Sequence, residues 1–215
     1  GFVQLIYRSS HADGAKLVSH PLMGGCGYTG AREAGLVIKA AADKAGKPVY
    51  LELSSINPVV MLPGALEERL DALVDEFSGS CLMGTGQFCT NPGIVVLLKG
   101  DKTDAFVQGV QTKFAAAPAG TLLGGGVEKS LAAGIAAIQQ AGAKLLTGGS
   151  AGAGNGFSVE NTLLSVSGAD FLKHPHELQT EAFGNCSLFV IADDVAQAEE
   201  IIRTFEGNRT GCVRS

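Results

Sequence analysis

The 215 residues contain no cluster of basic side chains, no apolar run near the about 20 residues that span a bilayer, and no CxxC pair. Each absence removes a class of function. With 16 Lys and Arg against 21 Asp and Glu, the formal charge is −5, which gives no support to a nucleic acid or an anionic membrane surface as partner. The first residues do not read as a signal peptide. Cys26, Cys81, Cys89, Cys186 and Cys212 are odd in number and far apart. That pattern argues against a disulfide framework or a zinc site and suits a reduced, cytoplasmic setting. Four of these cysteines (Cys26, Cys81, Cys186 and Cys212) sit in apolar runs and read as buried packing residues. His11, His20, His174 and His176 show no metal-ligand spacing with any cysteine, and "KHPHE" around His174 reads as a solvated loop, with metal binding as the weaker alternative.

What is present is an ordinary globular composition, 46% apolar and 17% charged, long enough to bury a substantial core. Strand and helix signals alternate. "FVQLIY" reads as a strand, "DGAKLVSHP" as a helix stopped by Pro21, "GGCGYTG" as a strand and turn, "AREAGLVIKAAADKAG" as a helix and "KPVYLEL" as a strand. Such alternation predicts a parallel α/β unit.

Further on, "NPVVMLP" reads as a strand. Leu66, Leu70, Leu73, Val74, Phe77 and Cys81 mark an amphipathic helix, and "GIVVLLKG" a strand buried on both faces. Residues 101–117 read as a helix, 118–130 as a loop and 131–141 as an alanine-rich helix. Then come strands at "AKLLTGG", "FSVENTLLSV" and "SLFVIA", with the glycine-rich turn "GSAGAGNG" after the first, and a helix over 194–205. No linker is long enough to separate independent domains. The chain starts without Met on "GFVQLIY" and stops at "EGNRTGCVRS", where another strand would begin, so the expectation is an internal piece of a longer protein.

Three short stretches carry chemistry. In "GYTGAREAG" a strand passes through a glycine turn into a helix, an arrangement whose N–H groups suit a phosphate but which is also common as plain structure. In "LELSS", Glu52 ends a strand, where ligands gather in parallel α/β proteins, although a lone carboxylate there is often only solvated. In "MGTGQFCTNPG", Cys89 stands in a turn between apolar runs. Small neighbours there admit a substrate, and the turn leaves the Cys89 N–H open to an oxyanion; the competing reading is an inert thiol. Arg8 and Arg32 read as surface arginines, with a cofactor phosphate as the alternative.

Taken in order, Tyr28-Thr29-Gly30, Leu51-Glu52-Leu53, Gly86-Gln87-Phe88-Cys89 and Glu181-Ala182-Phe183-Gly184 resemble the motifs of the aldehyde dehydrogenase superfamily. "ELSSINPVVMLPGAL" and "GQFCTNPG" look closest to its 2,5-dioxopentanoate (α-ketoglutarate semialdehyde) dehydrogenases. The resemblance implies an α/β fold in which residues 1–53 are the last part of a Rossmann-like NAD(P)-binding domain and 54–215 an incomplete catalytic domain. It implies Cys89 as nucleophile and Glu52 as the base that activates the hydrolytic water. It also implies Thr29, Gly30, Leu53, Glu181 and Phe183 as cofactor contacts, NADP or NAD as cofactor, and a homo-oligomer. The family's oxyanion asparagine and ribose-binding lysine would lie upstream of this chain, and its oligomerising strand beyond it. The residues alone would then turn over little aldehyde.

Departures from the motifs are Ala31 in place of a hydroxyl residue, Ser54 and Ser55 in place of glycines, and Asn185 in place of proline, which is expected to loosen its loop. Two readings outside dehydrogenase chemistry stay open: a non-catalytic protein of the same fold, and a thiol acyl-transferase or esterase using Cys89 and Glu52 without a nicotinamide.

Overall fold

The computed structural model describes residues 1–7, 9–153 and 156–215. The chain divides into two compact units, Gly1–Ser54 and Ser55–Ser215.

The first unit holds α1 (His11–Ser19), β1 (Cys26–Thr29), α2 (Arg32–Lys44) and β2 (Val49–Glu52). Ser10 caps α1, its hydroxyl accepting the Asp13 N–H at 3.1 Å. β1 and β2 pair in parallel, with Thr29 opposite Glu52. The crossover through α2 is what a parallel pair requires. Residues 2–7 pair with no strand among the described residues, and Phe2, Leu5 and Tyr7 are exposed. The expected first strand is therefore not formed, because apolar alternation supplies faces for a strand but not the ladder partner that makes one.

The second unit adds β3 (Val59–Met61), α3 (Pro63–Leu82), β4 (Ile94–Leu98), α4 (Asp101–Ala116), α5 (Gly125–Gln140), β5 (Lys144–Thr147) and β6 (Thr162–Ser167). Two single-turn helices follow, α6 (Gly168–Phe171) and α7 (Pro175–Leu178), and then β7 (Cys186–Ala192), α8 (Val195–Arg203) and β8 (Cys212–Arg214). The sheet order is β5-β6-β7-β4-β3-β8, with every pair parallel except β5 with β6. β4 is buried at all five positions, as a central strand covered on both faces must be. One face packs Val96, Leu164 and Leu188 under Leu131, Ile135, Phe171 and Ile201; the other packs Val95, Leu97 and Phe189 under Leu73, Phe77, Phe106 and Phe114.

Three local expectations are corrected. The helix expected over 131–141 begins at Gly125, inside the expected loop. Val127 already belongs to its apolar stripe, Glu128 favours the first turn, and Gly125 lies so close to the Phe157 ring that a Cβ would be 3.0 Å from it. "KHPHE" is not all loop, because Pro175 opens α7 at a position where its missing N–H costs nothing, and Leu178 anchors the turn in the core. Cys81 and Cys186 are buried as expected, whereas Cys26 and Cys212 are only half-buried. The turn expected at "GSAGAGNG" lies partly outside the described residues.

Phe189 is fully buried between the rings of Phe77 and Phe106, at centroid distances of 5.4 and 5.7 Å. Phe189→Ala is expected to lower unfolding stability by about 3–5 kcal/mol, read from a urea titration followed by circular dichroism.

Candidate active site

In the first unit the glycine turn follows β1. The Gly30 N–H donates to the Glu52 carbonyl at 3.0 Å, so Thr29, Gly30 and Glu52 share one strand-end surface, with Leu53 next in line. Ala31 caps α2 without a side-chain bond, and the Arg32 N–H donates instead to Ser54 Oγ at 3.3 Å. The hydroxyl missing at position 31 is thus supplied to the helix end by one of the departing serines. Gly35 is buried where a Cβ would fall 2.3 Å from Leu53 Cδ2, so glycine there lets α2 close onto the strand end. Arg8 lies outside the described residues.

In the second unit, α3 ends in a left-handed turn: Gly84, Thr85 and Gly86 have φ of 56°, 59° and 66°. Positive φ at the β-branched Thr85 is strained, and the sequence reading missed it. Gly86 is required twice over, since a Cβ there would lie 2.1 Å from the Gly184 carbonyl oxygen. The turn thereby lies against "EAFG". Gln87 fastens it further, donating to the Thr121 carbonyl at 3.2 Å and accepting the Leu123 N–H at 2.8 Å.

Cys89 is exposed at the tip of the next turn. Among the described residues nothing accepts a hydrogen bond from its N–H. Its carbonyl is held: Asn57 Nδ2 donates to the Cys89 carbonyl at 3.0 Å and to the Asn91 carbonyl at 2.8 Å. Asn91 Nδ2 in turn donates to the Gly184 carbonyl at 3.2 Å. Glu181 Oε1 accepts the Ser55 N–H at 3.2 Å, and Glu181 and Phe183 line a pocket with Gly86, Phe88 and Asn91. Cys89, Glu181 and Phe183 therefore belong to one neighbourhood of the second unit. Thr29, Gly30, Glu52 and Leu53 form another in the first.

Asn185 corrects an expectation. It is fully buried, donating to the Val159 carbonyl at 2.9 Å and to Asn161 Oδ1 at 2.7 Å, so it ties its loop down where loosening was expected. Asn57 was not singled out from the sequence, although the pattern Asn-Pro after a strand end signals a turn.

The profile of the aldehyde dehydrogenase family matches residues 1–213. The chain belongs to the aldehyde dehydrogenase family. It is 32% identical, over all of its length and 41% of the relative's, to alpha-ketoglutaric semialdehyde dehydrogenase 2 of Azospirillum brasilense. It is 31% identical, over 93% of its length and 38% of the relative's, to the alpha-ketoglutaric semialdehyde dehydrogenase of Acinetobacter baylyi. The chain thus spans about two fifths of the length of these curated relatives.

Among solved structures, methylmalonate-semialdehyde dehydrogenase from Oceanimonas doudoroffii superposes with a TM-score of 0.75 at 19% identity, covering 93% of this chain and 42% of that one. Succinic semialdehyde dehydrogenase from Streptococcus pyogenes, in complex with NADP+, gives 0.71 at 19% identity, covering 96% and 51%. These likenesses establish the α/β aldehyde dehydrogenase fold.

Beneath the Cys89 turn, burial pushes the Cys81 thiol up to about 12 against a modest lowering by Asn91, and burial also raises the Cys186 thiol. Both thiols stay protonated and unreactive at neutral pH. The sign of the linkage follows. An unfolded thiol ionises near 9.0, so above that pH the unfolded state holds fewer protons than the folded one. The stability contributed by these thiols is complete below about 9 and is lost as pH rises toward about 12. Urea midpoints are expected to fall over that window in the native chain, and to fall less in Cys81→Ala. Gly86→Ala is expected to displace the turn and to abolish any kinetic preference for Cys89 in alkylation by iodoacetamide, quantified by peptide mass.

Proposed function

We propose that this chain is the thiol-bearing part of an NAD(P)-dependent aldehyde dehydrogenase acting on an α-keto semialdehyde such as 2,5-dioxopentanoate. The observation that carries the reading is an exposed Cys89 whose N–H is unengaged among the described residues, on a turn fastened to "EAFG", in a chain of this family.

The Cys89 thiolate attacks the aldehyde carbon, and the resulting oxyanion is met by the Cys89 N–H. Nicotinamide, when bound, would supply the hydride acceptor for the thiohemiacetal held on Cys89. Glu52 then takes a proton from the water that hydrolyses the Cys89 thioester and releases the carboxylate. The turn at Thr29 and Gly30 is suited to a pyrophosphate, because Ala31 puts no hydrogen-bonding side chain at the start of α2; Leu53 packs against Gly35 of that helix. Glu181 and Phe183 would hold the nicotinamide ribose and ring, a reading supported by their pocket beside Phe88 and Gly86.

The semialdehyde assignment rests on the alpha-ketoglutaric semialdehyde dehydrogenases at 31 and 32% identity. NADP or NAD serves as cofactor, and NADP is bound in one related fold. The domains are a cofactor-binding part over 1–53 and a catalytic part over 54–215. The five free cysteines fit a reducing, cytoplasmic compartment, and membership of the family supports a homo-oligomer as the working form of the full-length protein.

One equivalent of iodoacetamide is expected to modify Cys89 first, faster than free glutathione. Reaction no faster than at Cys26 would refute the nucleophile. In the full-length protein, Cys89→Ser is expected to abolish aldehyde-dependent NAD(P)H formation. Glu52→Gln is expected to keep the initial burst of NAD(P)H while lowering steady turnover by about 100-fold, read in a stopped-flow spectrometer.

A further inference from the structure

The half-buried Asn208 lies in the segment before β8, more than a hundred residues from the Cys89 turn in sequence, yet its Oδ1 gathers two backbone N–H donors, and lies beside a hydroxyl, of the segment that holds that turn. The Ile56 N–H reaches it at 2.8 Å, the Asn57 N–H at 3.2 Å and Ser55 Oγ at 3.1 Å. Its Nδ2 donates to the Glu206 carbonyl at 2.8 Å, which sets the orientation of the amide.

The clamp continues around Asn57. The Ser55 hydroxyl lies 2.8 Å and the Thr210 hydroxyl 3.2 Å from Asn57 Oδ1, and the Arg209 N–H reaches Ser55 Oγ at 3.0 Å. Asn57 itself is buried with φ of 46°, a conformation asparagine tolerates better than most residues. With its oxygen engaged on one side, its Nδ2 faces the Cys89 and Asn91 carbonyls on the other.

Each of these bonds points along one chain of contacts, from Asn208 through Asn57 to the peptide of Cys89. Ser55 and Asn57 are buried and Asn208 is half-buried, and a network whose buried members are satisfied favours one arrangement. We propose that Asn208 is a positioning residue, acting through Asn57 to hold the Cys89 turn so that the Cys89 N–H is aimed at the oxyanion formed on that sulfur. The inference rests on Cys89 being the nucleophile.

Two reactions of Cys89 separate aim from mere exposure. With p-nitrophenyl acetate, the sulfur bonds to the acetyl carbon and the carbonyl electron pair moves onto oxygen. The oxyanion then collapses to the thioester as the bond to p-nitrophenolate breaks, and the thiol proton goes to buffer. With iodoacetamide the sulfur displaces iodide and no oxyanion forms. Both rates are measured on the chain as it stands, each relative to glutathione.

Native Cys89 is expected to be favoured in acetylation beyond its advantage in alkylation. Asn208→Ala is expected to lower acetylation about tenfold while alkylation stays within about twofold, since misaligning an oxyanion donor slows only the first reaction. Asn208→Asp keeps the acceptor oxygen and is expected to restore acetylation to within about threefold of native.

The proposal is overturned if Asn208→Ala leaves acetylation unchanged or lowers both reactions alike. Labelling of the buried Cys81 and Cys186 reports an opened core. Should Asn208→Ala show it, Asn208→Gln is judged by the same criterion, and an opened core there too makes Asn208 a structural residue and overturns the proposal. Native acetylation with no excess over alkylation would instead sink the nucleophile reading itself, and this inference with it.

Discussion

The second unit depends on a strand buried along its whole length. β4 runs between β3 and β7, its five residues buried, and the turn that ends in Cys89, Thr90, Asn91, Pro92 and Gly93 feeds directly into it. The Gly93 N–H donates to the Ile56 carbonyl, the Leu188 N–H to the Gly93 carbonyl, and the Ser187 hydroxyl to the Pro92 carbonyl. A loop so anchored at its root cannot drift, because moving it would break ladder bonds inside the core. What stays outside is Cys89. The thiol is therefore exposed and yet carried on a rigid element, the combination a nucleophile needs.

The cysteines show how one side-chain type divides by environment. Cys81 and Cys186 sit in the two apolar layers, where desolvation holds them as thiols; Cys89, a few residues past the end of α3, escapes burial because Gly84, Thr85 and Gly86 turn the chain the left-handed way. Backbone strain at Thr85 is tolerated because packing against Gly184 and the Gln87 clamp determine the turn from outside it.

Asn185 makes the same point about loops. Proline would restrict the backbone covalently; asparagine restricts it through Val159 and Asn161, and Asn161 in turn reaches the Phe114 and Ala117 carbonyls at the end of α4. Two different chemistries can thus hold the same bend, and only the second ties it to a neighbouring strand and helix.

The sequence by itself determined the element order and the site's order along the chain. Apolar periodicity marked α3, α4 and α8, unbroken β-branched and apolar runs marked β4 and β7, and short motifs marked Gly30, Glu52, Cys89 and Glu181, all through interactions between residues close in sequence. Those motifs carried the family. Only the tertiary structure decided that residues 2–7 pair with no strand among the described residues, that α5 begins at Gly125, and that Asn208 grips Ser55, Ile56 and Asn57. A ladder partner, a ring lying over a glycine and an amide reaching across some 150 positions are contacts between distant residues, and no local pattern encodes them.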